Sequence, residues 1–337
     1  MRFAHVERDG RRWSGVVVGG PGREVVHALR GTTTVGDLVA AGTAAAAEAG
    51  DWALRSSAAV PVAAVRLLPP LRPASVRDFV TFEEHVEGVV RSVSGGAGVQ
   101  PAWYEAPTFY FGNPHSALGA HDDVPVPPGC RAFDFELEVA AVVGRAGADL
   151  SPEQAREHVF GYTLFNDWSA RDLQGREMKV GLGPAKGKDS AVTLGPWLVT
   201  ADELEPHRDA EGFLDLALTA SVNRRLVGSD LLSNASWTFE EMIAYASRGA
   251  SVQPGDVLGS GTAGNGGCLA ELWGRAGRQD PPPLVPGDVV RIEAQGIGAV
   301  ENRVVAGRDL ADLPLVRAAR SRPRRRPADR PASVGRV

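Results

Sequence analysis

The sequence predicts a β-rich α+β chain that opens with a small N-terminal β-containing domain. Three observations predict this. Strand-like runs recur along the 337 residues and outnumber the stretches with helical spacing. A Pro-marked connection over residues 60–73, containing Leu68-Pro69-Pro70-Leu71, separates the first 70 residues from the rest. Hydrophobic residues make up 43% of the chain, enough for one large domain or two smaller ones.

Residues 1–30 alternate apolar and polar positions with Gly punctuation, as in Trp13-Ser14-Gly15-Val16-Val17-Val18-Gly19, and read as a β-meander. Residues 34–49 are Ala-rich and read as a helix packed on it. Residues 78–90 place Phe79, Phe82, Val86, Val89 and Val90 at helical spacing, with Asp78 as the expected cap and His85 two turns on, on the same side. A lone helical His is open to a structural, surface or functional role. Residues 94–107 read as a mobile loop, and 108–114 as a short aromatic strand ending in a turn.

Residues 133–144 organise the chain. Period two places Phe133, Phe135, Leu137 and Val139 on one face of a strand and Asp134, Glu136 and Glu138 on the other. Two carboxylates about 4 Å apart cost roughly 4 kcal/mol at an effective dielectric of about 20. Two readings are open: a solvated acidic face, or a face relieved by a divalent cation. Oxygen-only ligands favour Mg²⁺, Mn²⁺ or Ca²⁺ over zinc.

Ser151, Pro152 and Gln154 mark a helix start. Residues 160–167 read as a buried strand ending in Asp167, with a helix over 168–176. Asp167, Arg171 and Gln174 then stand at i, i+4 and i+7, as a capped helix with an ion pair or as a polar corner of a site. The loop 181–190 resembles a phosphate loop but fails its spacing, and Asp189 follows Lys188 where Ser or Thr is required, so nucleotide binding is rejected. Lys188 either points into a site or is solvated. Residues 214–236 are strand-like, and Thr238 to Glu241 carries a capping box. Residues 254–264 read as a strand entering a Gly-rich loop whose N–H groups can approach an anion. An apolar run over 269–273 contains Glu271, and the last strands are expected over 289–294 and 299–305.

No apolar run reaches membrane-spanning length, and residues 1–30 lack a signal-peptide pattern, so no membrane partner and a cytoplasmic location are expected. Cys130 and Cys268 have no CxxC spacing and argue against a disulfide framework or a zinc site. Residues 317–337 hold eight Arg and one Asp, a net of +7; the whole chain is −5, so the remainder carries −12. An acidic body is a poor nucleic-acid binder, and the Arg/Pro tail reads as disordered.

Asp78 with His85, Glu136 with Glu138, the segment Asn166-Asp167-Trp168-Ser169-Ala170-Arg171-Asp172-Leu173-Gln174, and Gly187-Lys188, in this order, resemble the fumarylacetoacetate hydrolase family over residues 71–308. The resemblance implies a mixed-β roll of that family's C-terminal-domain type with flanking helices. It also implies a homodimer and one divalent cation, Mg²⁺ first, with Mn²⁺ or Ca²⁺ as alternatives. By motif position it implies Asp78, Glu136, Glu138 and Asp167 as metal carboxylates and His85 as general base oriented by Glu271. Arg171, Gln174 and Lys188 would hold substrate oxygens, and Tyr110 and Thr262 would contact substrate. Three positions depart from the family. Val192-Thr193 stands where the fumarylacetoacetate-cleaving members have two Thr. Asn113 stands where the small acylpyruvate-cleaving members tend to have Lys, and Gly88 where they have an acid.

The implied activity is metal-dependent hydrolysis of a carbon–carbon bond in a 1,3-diketo or acylpyruvate-type acid, by His-activated water and a metal-stabilised enolate. A decarboxylase, hydratase or keto–enol isomerase of a 2-oxo acid is the alternative on the same fold. A non-catalytic binding protein, or an interaction protein acting through the Arg tail, belongs to a different class.

Overall fold

The computed structural model describes residues 1–94 and 98–311. The expected tail over 317–337, and residues 95–97 of the expected loop, lie outside the described residues. The architecture is α+β and β-rich, as the sequence predicts.

A mixed sheet of 12 strands runs through the molecule. Its order is Ala59–Pro61, Val25–Ala28, Arg11–Val18, Arg2–Arg8, Val192–Thr200, Val159–Asp167, Leu137–Val143, Val257–Gly259, Val76–Phe79 and Phe109–Gly112. Arg66–Leu68 joins it on Arg2–Arg8, and Ala117–Leu118 on Val192–Thr200. A second sheet of five strands runs Arg225–Leu231, Ala217–Val222, Val289–Ala294, Gly298–Val305 and Val124–Pro125.

Leu137–Val143 is buried at all seven positions because both of its faces are covered. Leu137, Val139, Ala141 and Val143 join the core that includes Leu218, Ile292 and Val300 of the second sheet. Ala140 and Val142 join a separate core with Phe3, Val16 and Leu38 of the first 70 residues. A continuous apolar run suits such a doubly covered strand. The N-terminal meander forms as expected, as three antiparallel strands. The Ala-rich stretch beside it is two helices, Val35–Ala41 and Thr43–Ser56, broken at Gly42 with φ 89°.

Three expectations are corrected. The strand over 133–144 is interrupted at Phe135-Glu136: Phe133–Asp134 pairs with Ser169–Ala170, outside the large sheet. The helix over 78–90 starts later, at Glu83–Ser94. Its first residues form the strand Val76–Phe79, parallel to Val257–Gly259 and antiparallel to Phe109–Gly112. Phe79 stacks obliquely on Phe109, with ring centroids 5.1 Å apart, and sheet pairing on both edges overrides the helical spacing. Asp78 is therefore a strand residue and not a cap. The helix expected from Trp168 is Arg171–Met178. The strand-like reading of residues 214–236 holds, as a hairpin of Ala217–Val222 with Arg225–Leu231, turned at Asn223 and Arg224, both at positive φ. Among the described residues no helix is long and apolar enough to cross a membrane.

Candidate active site

The site lies where strands Leu137–Val143, Val159–Asp167, Val257–Gly259 and Val76–Phe79 end beside helices Glu83–Ser94 and Arg171–Met178. A cavity of about 360 Å³ opens there. Asp78, His85, Tyr110, Glu136, Glu138, Arg171, Gln174, Lys188 and Thr262 all line it. The apolar part of the wall comes from Phe79, Val89, Phe109 and Met178.

The carboxylates are the centre. Asp78, Asp134, Glu136, Glu138 and Asp167 are each at most 3% exposed, which rules out a solvated acidic face. Asp78, Glu136 and Asp167 each offer an oxygen within 4.8 Å of the others. Burial raises Asp78 to about 6. Burial, and then the charge of Asp78, push Glu138 well above the carboxylate range, and burial does the same to Asp167 against the pull of Lys188. Glu136 behaves oppositely: Lys188 and Arg171 outweigh its burial and hold it well below that range. Among the described residues neither Asp78 nor Glu138 makes an ion pair, whereas Asp167 shares Lys188 with Glu136. Asp78 Oδ1 is buried without a hydrogen-bond partner. A Cβ on Gly259 would sit 2.5 Å from that oxygen and 2.9 Å from Glu138 Oε2, so only glycine leaves room between the two carboxylates. This all-oxygen set fits a hard divalent cation.

Lys188 reaches the carboxylates from the loop before Val192–Thr200. It is 6% exposed and bonds Glu136 and Asp167, so the solvated alternative is excluded. The loop is tied down by Glu177, whose carboxylate accepts the N–H groups of Ala185, Lys186 and Gly187 at 3.0, 2.8 and 3.0 Å. The donors that would cradle a phosphate are thus already used. Arg171 bridges Asp134 and Glu136, both at 2.8 Å, and its Nη1 donates to Gln174 Oε1 at 3.2 Å. It makes no ion pair with Asp167. Tyr110 donates to Asp167, and Thr262 Oγ1 donates to Glu138 Oε1 at 3.3 Å.

His85 is 6% exposed, and burial lowers it to about 3, aided by the charges of Arg171 and Lys188. It is therefore a neutral imidazole at ordinary pH. Its Nδ1 faces Cys268 Sγ at 3.6 Å. Glu271, expected to orient it, is instead held by Arg275 at 2.6 Å and the N–H of Gly266 at 3.2 Å, and no hydrogen bond joins it to His85. Burial raises Glu271 to about 7.

Two residues of this site were not singled out from the sequence. Asp134 accepts from Arg171 and from the N–H groups of Leu269 and Ala270 at 2.8 and 3.0 Å, which fixes the guanidinium and the start of helix Leu269–Ala276. Its place in the alternating acidic run was the available signal. Cys268 caps the same helix, and nothing in its spacing marked it.

A family model for the fumarylacetoacetate (FAA) hydrolase C-terminal domain matches residues 74–305. The chain belongs to the fumarylacetoacetate hydrolase family. It is 31% identical over 254 residues to fumarylacetoacetase of Arabidopsis thaliana, covering 62% of this chain and 60% of that one. It is 35% identical over 195 residues to the mitochondrial oxaloacetate tautomerase of Xenopus laevis, covering 56% and 55%. The chain thus spans little more than half the length of these curated relatives. The crystal structure of maleylpyruvate hydrolase from Sphingobium sp. SYK-6 with manganese(II) and pyruvate superposes with a TM-score of 0.67 at 23% identity, covering 91% of this chain and all of that one.

Two departures from the fumarylacetoacetate hydrolase pattern have structural correlates. Thr193 spends its hydroxyl on the Trp168 indole at 2.9 Å, and neither it nor Val192 lines the cavity. A side chain at Gly88 would meet Glu271 Cγ at 2.5 Å, so the acid of the acylpyruvate-cleaving members has no space here.

Proposed function

We propose that this protein is a divalent-metal-dependent hydrolase that cleaves a carbon–carbon bond in a 1,3-diketo or acylpyruvate-type acid. One observation carries the reading: an all-oxygen acidic set, a buried neutral imidazole and a Lys–Arg–Gln group converge on one cavity. Asp78, Glu136, Glu138 and Asp167 would hold the cation, Mg²⁺ in the first instance, with the manganese of the Sphingobium enzyme as precedent. Bound there, a divalent cation supplies Lewis-acid polarisation of chelating substrate oxygens.

The protein's own groups do the rest. Neutral His85 takes a proton from water at the ring nitrogen turned from Cys268, and the hydroxide adds to a substrate carbonyl. Collapse of that adduct breaks the carbon–carbon bond, the leaving enolate carbon recovering the proton from His85 while charge passes through the carbonyl oxygen. Lys188 stays protonated, because Asp167 and Glu136 outweigh its burial, and with Arg171 it stabilises negative charge developing on that oxygen. Gln174 is fixed by Arg171 and orients the substrate carboxylate. Tyr110 keeps its proton, since burial and then Asp167 raise its pKa well above the phenol range, and it acts as a donor.

A second reading is keto–enol tautomerisation of a 2-oxo acid, the reaction in the name of the Xenopus relative. The missing bond between His85 and Glu271 favours it, because a base without its orienting acid is less suited to water activation. One assay separates the readings: ultraviolet loss of the enol band and product mass, with and without Mg²⁺ or Mn²⁺, on acylpyruvates, fumarylpyruvate-like diketones and oxaloacetate. Metal-dependent formation of two acids supports hydrolysis. Band loss at unchanged mass supports the tautomerase, and CO₂ release would make it a decarboxylase.

A further inference from the structure

Beside the carboxylates lies a second cluster with different ligand chemistry. His85, Cys268 and Glu136 each offer one ligand atom within 4.8 Å of the others, and all three residues are buried. We propose that they form an inhibitory site for a thiophilic divalent cation of the zinc type, distinct from the all-oxygen site. The consequence for turnover rests on His85 acting as the base; the binding itself does not.

Three observations support the assignment. The donors are sulfur, imidazole nitrogen and carboxylate oxygen, the set zinc selects, whereas the neighbouring site offers oxygen alone. Zinc–sulfur and zinc–nitrogen bonds of about 2.3 and 2.0–2.1 Å at a tetrahedral angle place S and N about 3.6 Å apart. Cys268 Sγ and His85 Nδ1 stand 3.6 Å apart. The third is access. His85 and Glu136 line the cavity, so an ion has a path to them.

Binding forms a Zn–S bond and breaks the S–H bond of Cys268, whose proton leaves for solvent, one per ion bound. No electrons are transferred. A ring that holds zinc on Nδ1 carries its single proton on Nε2 and cannot accept another, so His85 is silenced as a base while Glu136 is shared between the two ions.

The test is titration of the Mg²⁺-loaded full chain with Co²⁺ as spectroscopic probe and Zn²⁺ as inhibitor, on wild type, Cys268→Ser and Cys130→Ser. The expected result is a near-ultraviolet thiolate-to-cobalt charge-transfer band and release of one proton per ion. Both persist in Cys130→Ser and vanish in Cys268→Ser. Serine retains an oxygen to cap helix Leu269–Ala276, and near-ultraviolet circular dichroism checks that the variant is folded. Loss of an outer partner alone costs roughly 10–100-fold in metal affinity, so zinc inhibition should weaken by at least about tenfold in Cys268→Ser. Absence of the band in wild type would overturn the site and leave a plain N–H···S contact. Equal zinc inhibition of wild type and Cys268→Ser would also overturn it, since zinc would then act from the carboxylates. If Cys268→Ser does not fold, His85→Asn replaces it, and an undiminished zinc affinity there overturns the site. A wild-type band without turnover of any substrate would sink the hydrolase reading and leave the site standing.

Discussion

Burial lowers His85 to about 3, so as a base it would not set the acid limb of the proposed activity. The proposed metal carboxylates bear on it instead: burial raises Glu138 and Asp167 well above the carboxylate range and Asp78 to about 6. As pH falls through about 6 Asp78 also takes a proton, and a cation held there would lose a ligand. Its folded-state pKa is above its unfolded value, so in the metal-free protein Asp78 favours folding at low pH and opposes it as pH rises from about 4 towards 6. Added Mg²⁺ should therefore raise the melting temperature more at pH 7.5 than at pH 5. At limiting Mg²⁺ the activity midpoint should lie at or above about pH 6 and move to lower pH with tenfold more Mg²⁺. A midpoint that ignores Mg²⁺ would point away from the carboxylates. His85→Ala should lose about 10²–10⁴-fold in turnover while calorimetry finds the Mg²⁺ affinity nearly unchanged. Measurable metal loss would contradict a base role. The acidic alternation around Glu136 and Glu138 was readable because adjacent carboxylates on an apolar strand require an explanation. The partner of His85 was not readable: Cys268 lies 183 residues away, and tertiary packing alone brings its sulfur to the ring.

Element boundaries were less legible than element types. Residues 78–82 carry helical spacing, yet strands on both sides claim Val76–Phe79, and the backbone turns helical only at Glu83. The capping boxes at Ser151 and Thr238 form as read, because a cap depends on neighbours within one turn. The Lys188 loop is the opposite case. Its conformation depends on Glu177, in the helix before it, which takes up three of its N–H groups. Glu177→Ala should release the loop and lower kcat, since displacement of a reacting group by about 1 Å can cost roughly 10²-fold. The melting temperature should change little, because Glu177 lies on the rim, and wild-type kcat in the variant would remove the loop from the mechanism. Helix packing gives a stability counterpart. Glu83–Ser94 and Leu269–Ala276 meet through glycines, and a Cβ on Gly274 would lie 1.9 Å from the Gly88 carbonyl oxygen. Gly274→Ala should cost about 1–3 kcal/mol in denaturant unfolding by forcing the helices apart.

The Pro-marked connection near residue 70 reads as a domain boundary in the sequence, and the large sheet and one hydrophobic core both run across it. Arg2–Arg8 pairs antiparallel with Val192–Thr200, and the first 70 residues add five strands to that sheet. Phe3, Val16 and Leu38 share a core with Ala140, Phe165, Leu194 and Leu198 of the later chain. The amino group of Met1 bonds Thr200 Oγ1 at 2.5 Å and pairs with Glu203 at 2.9 Å, which ties the first residue to the end of Val192–Thr200. Sequence pattern shows that such strands exist, but their lateral partner is chosen by edge complementarity between segments about 190 residues apart. Removing residues 1–70 would therefore leave the end of Val192–Thr200 unpaired at Leu198 and Val199 and would uncover the apolar face behind the carboxylate strands. An edge of that kind invites association. A fragment of residues 71–311 should elute as aggregate, or show lost near-ultraviolet circular dichroism, at concentrations where the full chain is monodisperse. Within the intact chain, Phe3→Ala should lower stability by about 3–5 kcal/mol, as expected for truncating a fully buried aromatic. A fragment that folds and binds Mg²⁺ as the full chain does, together with a Phe3→Ala variant of unchanged melting temperature, would show that the metal site stands without the N-terminal strands.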